Sequence, residues 1–391
     1  ETARNAKTFG IDIKSISVNY SEILRRKNLV VSRTGTSHGK EAFEKSGVHV
    51  IQHEAKFISP HAVRAGEKTY TARKFIIATG TSVFVPQIIG LEKTKYITFR
   101  QAIDLKKPPK SLFIIGGGPV ACEFAQIFSI FGTKVTIAAR SALLSNEDRE
   151  VSDLVVALFE NRGIKVLNGV TVNEVGKKNG KKIVSYKFGG KSESVEVEEI
   201  LIATGKIPYL DLNLEKANVN TNHSGIIVNK YLQTTNLNIF AAGDVVGPYL
   251  FTHSGEYQSY IAGHNAFSYR KIRVNYTTVP RCVFITPEVA SVGLSEQDTI
   301  KKGIKIKKGL AAISILGRAN TSDELDGFVK VITDQKDTII GAAIVAPRAG
   351  EMIHELALAV HLRLNANVLS GMIHAYPTYS EAIKIACSNI E

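Results

Sequence analysis

No apolar run in the chain approaches the roughly 20 residues needed to cross a bilayer, so a transmembrane helix is excluded and no membrane partner is expected. Cysteine is scarce. Cys122, Cys282 and Cys387 lie far apart, with no C-x-x-C among them. That excludes a disulfide framework and a zinc site, predicts no metal ligands, and points to a reducing, cytoplasmic setting. No arginine-rich arm or nucleic-acid-reading motif accompanies the net charge of +13, from 49 Lys+Arg against 36 Asp+Glu. The charge is therefore read as scattered lysines with some attraction for a small anion, not as a nucleic-acid surface. No signal peptide is visible and the first residue is Glu1 rather than Met, which reads as a processed form or a fragment. What is there is ordinary for a globular chain, with 44% hydrophobic and 22% charged residues. Its 391 residues exceed one hydrophobic core and call for two or three domains.

The most informative stretch is SLFIIGGGPVACEFAQIFSIFGTKVTIAAR, residues 111–140. A short apolar run (111–115) leads straight into glycines, as a buried parallel strand leads into a tight turn. Gly116, Gly118 and Ala121 then occupy the small-residue positions of a G-x-G-x-x-G/A fingerprint. The first permits the turn, the second lets the backbone approach a pyrophosphate, and the third packs helix on strand. Residues 120–131 are too densely apolar for a surface helix, and 134–139 form a second strand, so the unit is β-α-β with a helix N-terminus aimed at a phosphate. Where an NAD-binding unit would carry an acidic residue for the ribose 2′-hydroxyl, this chain has Ala139, Arg140 and Ser141. A guanidinium and a hydroxyl suit a 2′-phosphate, so NADPH is the expected coenzyme, with NADH as the alternative.

Elsewhere, residues 1–28 read as a polar amphipathic helix and its connection, and 47–72 as a small antiparallel meander. A helix is expected over 148–161 and a strand over 164–167. A second meander, 170–197, would turn at Lys177, Lys178, Asn179 and Gly180. KFIIATG at 74–80 is echoed almost residue for residue by EILIATG at 199–205, which implies two similar nucleotide-binding domains, each with a meander before its last strand. NIFAAGDVVG (238–247) is a strand ending on Gly243 and Asp244, and 251–269 is helical. From about residue 279 the pattern changes to strands (281–285, 327–333, 338–345), then a long helix (350–364), as in a separate α+β domain. Pro377 is expected to open a last helix.

Six motifs in this order resemble the flavin-dependent pyridine nucleotide-disulfide oxidoreductases, which include dihydrolipoamide dehydrogenase, glutathione reductase and mercuric reductase. They are ATG at 78–80, GGGPVA at 116–121, ATG at 203–205, NIFAAGD at 238–244, TPEVASVGLSE at 286–296 and HAYPTYSE at 374–381. The resemblance covers essentially the whole chain. It implies an α/β fold: two Rossmann-like βαβ nucleotide-binding domains with inserted β-meanders, plus a C-terminal α+β dimerisation domain and hence a homodimer. The expected boundaries are 1–97 and 223–278 for the FAD domain, 98–222 for the NAD(P)H domain and 279–391 for dimerisation. Thr79, Gly80, Gly243 and Asp244 would lie along FAD, with Asp244 accepting a bond from a sugar hydroxyl; its alternative role is a helix N-cap. Ala203, Thr204 and Gly205 repeat the first ATG. Gly116, Gly117, Gly118, Pro119, Val120 and Ala121 would hold the pyridine dinucleotide. Glu123 matches the family glutamate near the flavin–nicotinamide contact and needs a partner, for which the family supplies a lysine. His253, with Tyr257, would line a pocket near the flavin unless both are surface-helix residues.

Three departures shape the functional expectation. The family's N-terminal glycine fingerprint for FAD and its redox-active C-x-x-x-x-C are absent, which implies that an N-terminal β-α-β unit is missing. The histidine that exchanges protons with the dithiol is replaced by Tyr376, while Glu381 and His374 remain. A phenol with a pKa near ~10 is a poor base at neutral pH, so lipoamide or glutathione turnover is not expected. Mercuric reductases resemble the chain better at this position, yet their C-terminal cysteine pair is missing. The reading is thus a mercuric-reductase-like or dihydrolipoamide-dehydrogenase-like enzyme passing a hydride from NADPH to FAD and on to a disulfide, metal ion or other acceptor. Tyr376, Glu381, Glu123 and His374 are its catalytic candidates. Two alternatives stand beside it: a flavin oxidoreductase without a dithiol that reduces oxygen, a quinone or a metal, and an inactive nucleotide-binding fragment.

Overall fold

Four strands lie parallel in the order Glu199–Ile202, Ser111–Ile115, Lys134–Ala139, Lys165–Asn168 in a computed structural model that describes residues 2–35 and 39–391. Leu112, Phe113 and Ile114 are wholly buried, which is why this strand reads as a continuous apolar run rather than an alternating one. The helix Pro119–Ile130 crosses over to Lys134–Ala139 and buries Ala121, Cys122 and Ala125. The helix Arg149–Asn161 follows, with Asp148 at its N-cap position. The meander Thr171–Lys178, Lys181–Phe188, Lys191–Val197 is an antiparallel three-stranded sheet. Its first turn is the expected one, because Asn179 (φ 51°) and Gly180 (φ 79°) both take the left-handed conformation that a two-residue hairpin needs.

The C-terminal sheet has five strands in the order Arg281–Val283, Glu288–Gly293, Ile339–Ala346, Phe328–Asp334, Ile306–Ala312. Glu288–Gly293 and Ile306–Ala312 are additions to the strands expected from sequence. The helices Ala349–Leu362 and Glu381–Ser388 complete its core. The last helix does not open at Pro377. Thr378 donates its N–H to the Glu381 carboxylate at 3.2 Å and its hydroxyl to Ala375 O at 2.8 Å, which closes a turn and postpones the helix to Glu381.

All of these elements belong to one compact unit, formed by Val85–Thr204 and Thr277–Glu391 with the described residues up to Tyr20. The second unit is Ser21–Phe84 with Gly205–Tyr276. It contains the meander Ala55–Ser59, Ala62–Ala65, Lys68–Thr71, the parallel pair Phe75–Ile77 and Ile239–Ala241, and the helix Thr252–Phe267. These limits differ from the expected ones: residues 2–20, expected with the FAD domain, fall in the first unit, and two further stretches change sides. Residues 85–97 join the first unit because Ile89 and Leu91 dock on the strand Thr171–Lys178 and the sheet core. Residues 205–222 join the second because Lys206–Pro208 pairs with Thr81–Val83. The helix expected over 1–28 is also displaced. A 3₁₀ turn, Ala6–Phe9, ends at Gly10 (φ 73°), and the α-helix is Tyr20–Gly35, with no buried residue.

Candidate functional site

In the first unit, three successive glycines leave the sheet for three different reasons. Gly116 has φ 137°, and a Cβ on it would stand 2.1 Å from Ala203 O, at the end of the neighbouring strand. A Cβ on Gly117 would meet the Ala139 Cβ at 2.6 Å. Gly118 has ordinary φ, and a Cβ there would project into open space. The first two glycines are therefore demanded by the fold. The third is a cradle that a side chain would fill, at a helix N-terminus that no side chain caps. Amides of an uncapped first turn are donors in search of an anion, so these residues fit a dinucleotide pyrophosphate. Pro119 takes the first helical position, where its missing N–H costs nothing. Val120 is half-buried and Ala121 wholly buried, so Ala121 is the close contact of helix and sheet.

The strand Lys134–Ala139 delivers Arg140 and Ser141 beside this cradle, both exposed. Their backbone is fixed from both sides: Val170 N–H donates to Ala139 O at 3.0 Å and Gly169 N–H to Ser141 O at 2.8 Å. Leu144 N–H returns to Gly117 O at 2.7 Å and ties the segment to the glycine turn. Ala203 N–H donates to Ile115 O at 2.8 Å, which places the second ATG against the first glycine. Glu123, half-buried on the fingerprint helix, accepts the Phe284 amide at 3.0 Å. Its partner in this chain is a backbone N–H rather than a lysine. Burial raises the Glu123 pKa, and the Phe284 bond opposes the rise.

In the second unit, Thr79 donates to Tyr209 O at 2.9 Å, and Gly80 and Gly243 take positive φ of 66° and 80°. Gly243 N–H is received by the wholly buried Gln258 at 2.6 Å. The Asp244 carboxylate accepts from Lys206 Nζ at 3.1 Å and Thr81 Oγ1 at 3.3 Å. It is not an N-cap, because the nearest helix starts at Thr252 with Phe251 at its cap position. In the first turn of that helix, which no side chain caps, Ser254 Oγ is buried with no hydrogen-bond partner. The uncapped start of this helix and the Asp244 carboxylate are polar groups that suit a cofactor carrying phosphate and sugar hydroxyls, so the residues present fit FAD. Gly205 has φ 111° and accepts the Phe84 N–H at 3.0 Å. His253 is exposed and stacks on Phe251 at 5.2 Å, and Tyr257 receives the Asn275 amide at 2.9 Å.

The C-terminal candidates separate. Tyr376 is 77% exposed, with its hydroxyl over Gly317, where a Cβ would stand 2.9 Å away. The His374 side chain is buried and meets Glu355 at 2.9 Å. Glu381 is spent on the Thr378 amide.

Residues 10–267 match the profile of the pyridine nucleotide-disulphide oxidoreductases, and residues 279–387 match that family's dimerisation domain. The chain belongs to this family. Mercuric reductase of Bacillus cereus is 32% identical over 388 residues, which are 98% of this chain and 62% of that protein, so the chain spans about three-fifths of its relative. Dihydrolipoyl dehydrogenase of Mycoplasma pneumoniae is 31% identical across 98% of this chain and 85% of its own. Among solved structures, the HOCl-induced flavoprotein disulfide reductase RclA from Escherichia coli superimposes with a TM-score of 0.87 at 27% identity, covering 95% of this chain and 86% of that one.

Members of this oxidoreductase family use FAD and pyridine nucleotides. The thiols described in this member are poorly placed for disulfide exchange. Cys122 and Cys387 are buried and Cys282 half-buried, and burial pushes all three pKa values up to about 12. At neutral pH the thiolate fraction is then on the order of 10⁻⁵. Iodoacetamide at neutral pH should leave the folded chain essentially unlabelled and modify all three cysteines in urea. Rapid labelling of the folded chain, read by mass spectrometry, would contradict this. Among the described residues no cluster of His, Cys, Asp or Glu is arranged to hold a metal ion, and no helix is long and apolar enough to cross a membrane. Sequence reasoning missed Lys206, Gln258 and Glu355. Of these, Lys206 carries a signal, since it directly follows the echoed ATG.

Proposed function

We propose that this chain binds NADPH at the glycine cradle and, within the whole protein, passes a hydride from it to FAD and onward to a disulfide, a metal ion or another acceptor. The observation that carries the coenzyme choice is the exposed Arg140–Ser141 pair at the end of Lys134–Ala139, where a carboxylate would repel a 2′-phosphate. FAD, when bound, supplies the two-electron chemistry.

This chain's residues bind and orient. Gly118 and the first-turn amides of Pro119–Ile130 take the pyrophosphate of NADPH, and Arg140 with Ser141 takes the 2′-phosphate. Asp244, held by Lys206 and Thr81, keeps a lone pair for a sugar hydroxyl of FAD, with Thr79, Gly80 and Gly243 as close backbone neighbours. His374, buried against Glu355, fixes the segment from which Tyr376 projects, and the exposed phenol is offered to a second copy of the chain in a homodimer. Unpaired cysteines and NADPH both suit the reducing cytoplasm.

Arg140→Glu tests the reading. Losing one charge-assisted pair and adding a repulsion should weaken NADPH binding by about tenfold to a hundredfold, with NADH binding little changed. Equilibrium titration followed by nicotinamide fluorescence measures both. Unaltered NADPH affinity in the variant would refute the assignment.

A further inference from the structure

The segment 140–148 joins Lys134–Ala139 to Arg149–Asn161 and carries Arg140 and Ser141 at its start. It is held against its own preferences. Leu144 has φ 48°, a conformation that bulky side chains avoid, and is kept there by burial (3% exposed) and by its bond to Gly117 O. Leu143 N–H bonds Asn168 Oδ1 at 3.2 Å. At its far end the segment presents two buried carboxylates, and both leave the nucleotide domain for the C-terminal sheet.

Glu147 accepts from Arg281 Nε at 3.2 Å and Ser291 Oγ at 2.6 Å. Asp148 accepts from Lys330 Nζ at 3.1 Å and from the Glu296 amide at 2.9 Å. Arg281 and Ser291 lie on paired strands of that sheet and face each other directly in the register. Two carboxylates with no exit to water must be paired, which accounts for the bonds as stability. It does not account for their place, at the end of the strained segment that carries the coenzyme-discriminating guanidinium.

Recognition of a phosphate by a guanidinium depends on its orientation to within about 1 Å. The exposed Arg140 side chain has its position set by the backbone that carries it. We propose that Arg281, acting through Glu147, is a positioning residue for the 2′-phosphate site, so that the C-terminal domain takes part in the choice of NADPH over NADH. This rests on the coenzyme assignment above. Arg281 does not touch the dinucleotide in this account. It limits how far Arg140 and Ser141 can drift from the glycine turn.

The test is the ratio of NAD⁺ to NADP⁺ dissociation constants, measured by calorimetry on the purified chain, which needs neither flavin nor turnover. Arg281→Met should lower this preference for NADP⁺ by about threefold to tenfold, in the range of coupling within one network, and Arg281→Lys should restore part of it. In an Arg140→Ala background, Arg281→Met should lower the residual ratio by much less than in the parent, because only Ser141 is left for it to position. An unchanged ratio in the single variant overturns the proposal, as does an equal fall with or without Arg140. If Arg140→Ala alone leaves the ratio intact, the coenzyme assignment itself fails and takes the proposal with it. Thermal denaturation checks each variant for folding. Should Arg281→Met not fold, the pair Glu147→Gln with Arg281→Met removes both charges together and is read the same way.

Discussion

Lys330→Met should lower the free energy of unfolding by roughly 3–5 kcal/mol, the usual consequence of leaving a buried charge without its partner. Lys330 is wholly buried on the strand Phe328–Asp334, and its ammonium meets Asp148 and Glu150 at 3.1 Å and Glu296 as well. Methionine fills the volume of the aliphatic stem, so the loss comes from the carboxylates. Asp148, with a 2% exposed side chain, has no water to turn to. Burial already raises the Asp148 pKa although Lys330 and the Glu296 amide pull it down, and removing Lys330 leaves the upward push less opposed. Neutralising Asp148 at the same time, with Asp148→Asn, should recover part of the loss. Urea unfolding measures all three proteins. A single variant as stable as the parent would show that this cluster contributes nothing to the union of the nucleotide domain with the C-terminal sheet.

Gly116→Ala and Gly118→Ala should fail in opposite ways. At Gly116 a methyl must displace backbone from 2.1 Å and hold φ 137°, so roughly 3 kcal/mol or more of stability is lost, and dinucleotide binding with it. At Gly118 the methyl meets nothing within 4 Å and the backbone is unstrained, so the melting temperature should stay near that of the parent. NADPH affinity should nonetheless drop by about tenfold or more, since the methyl occupies the approach of the pyrophosphate. Paired melting curves and titrations separate the two. Gly118→Ala with undiminished affinity would remove the cradle from the binding site.

The readable parts of the chain are those whose cause lies within a few residues. Apolar runs bounded by glycine became the parallel strands Ser111–Ile115 and Lys134–Ala139 with the limits expected. Asn179 and Gly180 declared their hairpin because left-handed backbone is confined to few residue types. The two ATG motifs both end on a glycine with positive φ, as a true structural echo should. Family membership followed from the order of such local signatures.

Partners could not be read in this way. Lys330 sits in FVKVITD, where alternation alone would turn it to solvent, and only the docking of the nucleotide domain on that face buries it. Glu123 needed a partner and found the Phe284 amide 161 residues away, and Glu147 found Arg281 across 134. His374 pairs with Glu355, on a packed helix 19 residues away, which nothing in the local sequence announces. Backbone conformation is decided by sterics within a turn or a strand, so residue types announce it. The pairing of a charge is decided by which surfaces meet and how much water they exclude, and those come into being only when the elements pack.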